Sequence, residues 1–88
     1  LLFKYILIYS FIMENKIKKI IAKTFKCKIS ELNQDSAIYK IKNWDSLTHF
    51  ELIENLEDEL NIKFNSGEAE TLTSFKIIIE TIKSYNVK

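Results

Sequence analysis

The two residue types that most often interrupt regular structure are almost missing from this chain, which has no proline and a single glycine, Gly67, in 88 residues. A turn-rich all-β fold needs such residues at its many reversals, so the expected fold is all-α, with helices joined by polar loops. The length suits one small domain with a modest core. With 47% apolar and 28% charged residues the composition is that of a globular domain. One cysteine, Cys27, can form no internal disulfide and fits no zinc spacing, so a reducing compartment and an inert thiol are expected.

Three stretches carry helical periodicity. In the first, Ile17, Ile20, Ile21 and Phe25 recur at helical spacing between lysines 16, 18, 19, 23 and 26. A polar connection follows from about Cys27 to Asn43, with Ile29, Leu32, Ile38 and Ile41 spaced as anchors. A second helix is predicted from Asp45–Ser46, residues suited to capping, to about Leu60. Asn65-Ser66-Gly67 breaks the pattern, and a short helix is predicted over Glu68 to Leu72. The last helix runs from about Ser74 to Tyr85, with Phe75, Ile78, Ile79 and Ile82 on one stripe.

Residues 1–12, LLFKYILIYSFI, stand apart from that pattern. They are too few to cross a bilayer, which takes about 20 apolar residues, and Lys4 interrupts them. No signal-peptide pattern is present, and no membrane span is expected. The reading adopted is an apolar extension, non-native or upstream of the true start, with residues 13–88 as the domain. A weak membrane or partner anchor is the alternative.

Charge is unevenly distributed. Residues 1–43 carry nine lysines against three acids, a net of +6, whereas residues 44–88 carry four lysines against nine acids, a net of −5. There is no arginine to fork onto guanine or phosphate and no nucleic-acid-binding motif, so no nucleic acid partner is expected.

Chemistry concentrates on the second helix. Its apolar face should collect Phe50, Leu52, Ile53, Leu56 and Leu60. Leu47, Glu51, Glu54 and Asp58 fall on the opposite side, a line of carboxylates that starts one residue after Ser46. A phosphate ester on Ser46 would meet free backbone N–H groups and the positive end of the helix dipole. The acids would guide a basic partner to that serine.

Asp45-Ser46-Leu47 resembles the attachment motif of acyl carrier proteins, and the resemblance runs from about Met13 to Tyr85. Trp44 to Ile53 looks like the motif and the start of its helix. Glu57-Asp58-Glu59-Leu60, with Ile62 and Phe64, is similar to the acidic end of that helix. Glu68 to Leu72 with Phe75 resembles the short third helix and the start of the fourth. The resemblance implies a small bundle of three main helices and one short one. It implies 4′-phosphopantetheine on Ser46, placed there from coenzyme A by a separate phosphopantetheinyl transferase. Acyl- or aminoacyl-loading and acyl-using enzymes would be further partners, and the cargo a thioester-bound acyl or aminoacyl group. By the same resemblance Asp45 supports the transferase's grip, while Leu47, Glu51, Glu54 and Asp58 contact partners. A cytoplasmic monomer that catalyses nothing itself, in lipid or fatty acid biosynthesis or a related pathway, is implied.

Two departures point to a specialised carrier outside ordinary fatty-acid synthesis. The family commonly has glycine two residues before the aspartate, where this chain has Asn43, and its fatty-acid members are strongly acidic. Other readings stay open at this level. Ser46 could be only a helix cap and the acid stripe only a solvated face of a helical interaction module. His49 is expected to be packed and neutral, and Trp44 to be a loop anchor over the helix start. An enzyme is disfavoured, because no nucleophile–base pair or metal cluster can be assembled from these residues.

Overall fold

The computed structural model describes residues 2–86 and contains three α-helices. Helix α1 spans Leu2–Phe25, α2 spans Thr48–Leu60 and α3 spans Phe75–Asn86. Two single 3₁₀ turns, Ile29–Glu31 and Ala69–Thr71, lie in the connections. The chain is therefore the small all-α fold expected, with one difference in its fourth element. The short helix expected over Glu68–Leu72 is one 3₁₀ turn. Thr73 N–H already turns back to Thr71 O (2.9 Å), because the chain must feed Ser74, whose Oγ accepts from Ile77 N–H (3.2 Å).

The core forms where the three apolar stripes meet. Ile17, Ile20, Ile21 and Phe25 of α1 face Leu52, Ile53 and Leu56 of α2 and Phe75, Ile78, Ile79 and Ile82 of α3, all buried. Two helix ends are closed by left-handed residues that satisfy carbonyls of the last turn. Lys26 (φ 56°) lets Cys27 N–H reach Ala22 O at 3.0 Å, and Asn61 (φ 53°) lets Ile62 N–H reach Glu57 O at 3.1 Å. An ion pair between Glu14 and Lys83 (3.2 Å), about a third exposed on each side, ties α1 to α3 and is worth at most about 1 kcal/mol.

The long connection between α1 and α2 is pinned rather than free. Buried Leu32 and half-buried Ile38 and Ile41 anchor it as expected, but Ile29 is exposed. Backbone bonds from Ile38 N–H to Thr73 O (2.9 Å) and from Phe75 N–H to Ser36 O (2.8 Å) fasten it to the start of α3.

Sequence periodicity places the first helix after Met13, whereas α1 continues without a break to Leu2. Neither proline nor glycine interrupts that stretch, so the helical hydrogen bonds propagate through it. Its large side chains, among them Phe3, Leu7 and Phe11, remain exposed. A chain beginning at Met13 is therefore expected to keep the helical circular dichroism and melting cooperativity of the full chain. By contrast Leu56→Ala, which empties a fully buried position, should cost about 2–5 kcal/mol in a denaturant titration.

Candidate functional site

The site is built on the first turn of α2. Asp45, Ser46 and Leu47 precede its first regular residue, Thr48, and are all exposed. His49 N–H already bonds Asp45 O at 2.9 Å, so the helical ladder begins at Asp45. Asp45 Oδ1 accepts from the N–H groups of Leu47 and Thr48, both at 3.0 Å. In return Thr48 Oγ1 accepts from Asp45 N–H at 3.0 Å and donates to Asn43 O. This is a reciprocal capping box built from aspartate and threonine.

Asp45 is thus the cap, and Ser46 is left outside it. Among the described residues nothing hydrogen-bonds the Ser46 hydroxyl. The reading of Ser46 as a mere N-cap has no support in this geometry. The N–H groups expected to be free for a phosphate on Ser46 are, however, partly taken: those of Leu47 and Thr48 belong to Asp45. What remains for an anion there is the N–H of Ser46 itself and the positive end of the dipole.

Asn43 explains its own departure from the family pattern. Its φ is 72°, in the left-handed region that glycine enters most easily and asparagine tolerates better than most residues. Its Nδ2 donates to Phe25 O at 3.1 Å, satisfying the last carbonyl of α1. A glycine would supply the conformation but not this bond.

Trp44 is a core residue, 1% exposed, and so does more than cover a loop. Its ring stacks on Phe25 (centroids 5.1 Å apart) and on His49 (6.2 Å), and Nε1–H donates to His49 Nδ1 at 3.1 Å. His49 Nε2 lies 2.9 Å from Ala69 O, which can only accept. The proton therefore sits on Nε2, and both ring nitrogens are committed to protein partners.

Glu51, Glu54 and Asp58 are exposed on the side of α2 opposite Leu52 and Leu56, with Leu47 at the head of the line. Glu57 is different: half-buried, its Oε2 accepts from Phe64 N–H at 2.9 Å and holds the turn after α2. Phe50 corrects the expected apolar face, for it is 58% exposed while His49 is buried in its place. Position 50 lies about 110° around the helix from the centre of the face made by 49, 52, 53 and 56. Cys27 is half-buried, and burial first, then Glu31, pushes its thiol above the usual value, consistent with an unreactive group.

No protein-family model matches the chain. Among curated proteins it is 41% identical over 73 residues to the acyl carrier protein of Buchnera aphidicola subsp. Baizongia pistaciae (strain Bp), covering 83% of this chain and 94% of that relative. It is 33% identical over 76 residues to the acyl carrier protein of Buchnera aphidicola subsp. Schizaphis graminum (strain Sg), covering 86% and 96% respectively. The chain belongs to the acyl carrier proteins. Its role is that of a carrier, and among its described residues no helix is long and apolar enough to cross a membrane.

In this carrier the charge on Asp45 is testable apart from any cargo. The Thr48 N–H above all, with that of Leu47 and the Thr48 hydroxyl, holds its carboxyl below the ordinary aspartate value. A depressed value means stabilisation that is complete above the unfolded value of about 3.9 and is lost as pH falls through the lower folded value. Asp45→Ala should therefore melt below wild type at neutral pH. The gap should close once the pH drops below the folded value, as read by thermal melts across an acid series.

Proposed function

We propose that the chain carries 4′-phosphopantetheine on Ser46 and passes a thioester-bound acyl or aminoacyl group between partner enzymes in the cytoplasm. The observation that carries the proposal is the exposed Ser46 hydroxyl, free of internal hydrogen bonds, in an Asp45-Ser46-Leu47 turn of an acyl carrier protein. On a separate phosphopantetheinyl transferase, Ser46 Oγ would attack the phosphorus of coenzyme A that bears the pantetheine arm, forming a phosphodiester as the pyrophosphate bond breaks and adenosine 3′,5′-bisphosphate leaves. The hydroxyl proton would pass to a base of the transferase, and this chain supplies no catalyst of its own. When bound, the group contributes a terminal thiol on a long flexible arm. The chain's own part is to present Ser46, hold the turn around it and offer a surface to the enzymes.

That surface is read as Leu47 with Glu51, Glu54 and Asp58. Leu47 is 84% exposed at the tip of the helix. Covering such a side chain recovers about 1.5–3 kcal/mol, which favours a partner with an apolar hollow there. The acids lie further along the same line and suit a partner with a basic patch, including the transferase.

The direct test is intact-protein mass after incubation with coenzyme A and a broad-specificity transferase. Wild type should gain one phosphopantetheinyl group and Ser46→Ala none; no gain in wild type, or gain in the variant, overturns the proposal.

The stripe is tested separately. Replacing Glu51, Glu54 and Asp58 by lysine should leave the fold intact but slow loading by about tenfold or more at low salt. Wild-type loading should itself slow as salt rises. A triple variant loaded at the wild-type rate would mark the stripe as a solvated face only.

A further inference from the structure

We infer that the amino-terminal half of α1 is a docking element for an anionic lipid surface, with the apolar side chains of residues 3–12 entering the acyl region and Lys4 and the following lysines lying at the headgroups. The first observation is that this stretch carries apolar side chains on every side, interrupted only by Ser10 and by Lys4, whose methylene stem can lie along the apolar surface while its ammonium stays at the headgroups. Phe3, Ile6 and Leu7 continue the line of Ile17, Ile20 and Ile21 at 100° per residue, but stand beyond the bundle and cover nothing. Tyr5, Ile8 and Ile12 point the opposite way, and Phe11 lies between. Phe3 is 72% and Phe11 69% exposed. A second copy or a protein groove would cover one stripe of such a helix and leave the others wet. A surrounding apolar medium covers all of them.

The second observation is charge. Continuing the Tyr5, Ile8 and Ile12 line toward the carboxyl end gives Lys16, Lys19 and Lys23, all exposed. The single acid of α1, Glu14, is paired with Lys83 and does not oppose them. A shallow hollow of about 390 Å³ at the junction is lined by Phe11, Ile12, Asn15, Lys16 and Lys19. Apolar walls beside two ammonium groups match the place where an acyl chain meets a phosphate.

Lys4 sets the mode: its ammonium stays at the headgroups, so residues 3–12 lie shallowly in the interface and do not stand upright across a leaflet. A single short apolar element binds reversibly, and the lysines add the second signal that firm binding needs.

The test uses the full chain, with sedimentation against vesicles of equal parts phosphatidylcholine and phosphatidylglycerol, and against phosphatidylcholine alone. The full chain should sediment with the anionic vesicles and much less with the neutral ones. The chain beginning at Met13 should stay in solution, with circular dichroism to verify that it is folded. Replacing Lys16, Lys19 and Lys23 by glutamine should weaken binding about fivefold per lysine, and added salt should weaken it likewise. Sedimentation by the Met13 chain, indifference to lysine removal, or no binding by the full chain would overturn the inference. A full chain that is dimeric without lipid and ignores vesicles would also overturn it, and would give the apolar helix to a second copy. None of these readings depends on whether Ser46 is modified.

Discussion

The arrangement of this carrier depends on where Trp44 is held. Its ring fills the space between Phe25, the last residue of α1, and His49, in the first turn of α2. His49 relays the contact to Ala69 in the 3₁₀ turn before α3. One aromatic side chain thereby connects the end of one helix, the end of the long loop, the start of the second helix and the approach to the third. Burying a ring of this size removes some 150–250 Å² from water, or about 4–6 kcal/mol as an upper figure. The two hydrogen bonds of the relay add roughly 1 kcal/mol each. Packing therefore supplies most of the stability, while the hydrogen bonds fix the rotation of the rings. Because Trp44 directly precedes Asp45, that fixed position is also the reference point for the cap and for Ser46.

Helix α2 serves two masters with one short sequence, and the periodicity of the helix keeps them apart. His49, Leu52, Ile53 and Leu56 face inward, and Leu47, Glu51, Glu54 and Asp58 face the opposite way. The carboxylates contribute little to the core by direct contact, so their replacement alters the surface field more than the fold. Glu57 shows the contrast. It carries the same charge on the same helix, yet it is half-buried and spends its carboxylate on Phe64 N–H.

The helical class, the three apolar stripes and the place of Ser46 were legible in the sequence, because each rests on spacing or on a motif. Ile17, Ile20, Ile21 and Phe25 repeat often enough to fix a face, and so do Phe75, Ile78, Ile79 and Ile82. Hydropathy marks Phe50 and Ile29 as core residues, yet both are exposed: Phe50 lies off the face of α2 made by His49, Leu52, Ile53 and Leu56, and Ile29 lies in a 3₁₀ turn with no buried residue. Likewise Asp45 and Ser46 are equally good caps by residue type. Only the geometry shows that Asp45 takes the N–H groups, and the Asp-x-x-Thr spacing to Thr48 was the signal that favoured it. The continuity of α1 through Met13 could not be read from periodicity, since apolar side chains spread around the helix, broken only by Lys4 and Ser10, leave no single face to detect.

The exposure of Ser46 is a consequence of this division of labour rather than an accident of a loop. A serine that capped α2 itself would have its hydroxyl tied to a backbone N–H and directed back toward the helix. With Asp45 in that role, the adjacent residue lies in the first turn with its side chain turned to solvent, and its hydroxyl is open to attack on an external phosphorus. The price is that Asp45 puts a negative charge beside the very place where a phosphodiester would form. That charge is offset in part by the dipole of α2 and by the N–H groups it holds. An enzyme that brings basic residues to this turn would neutralise Asp45 as well, so repulsion at the reacting group would fall only in the complex.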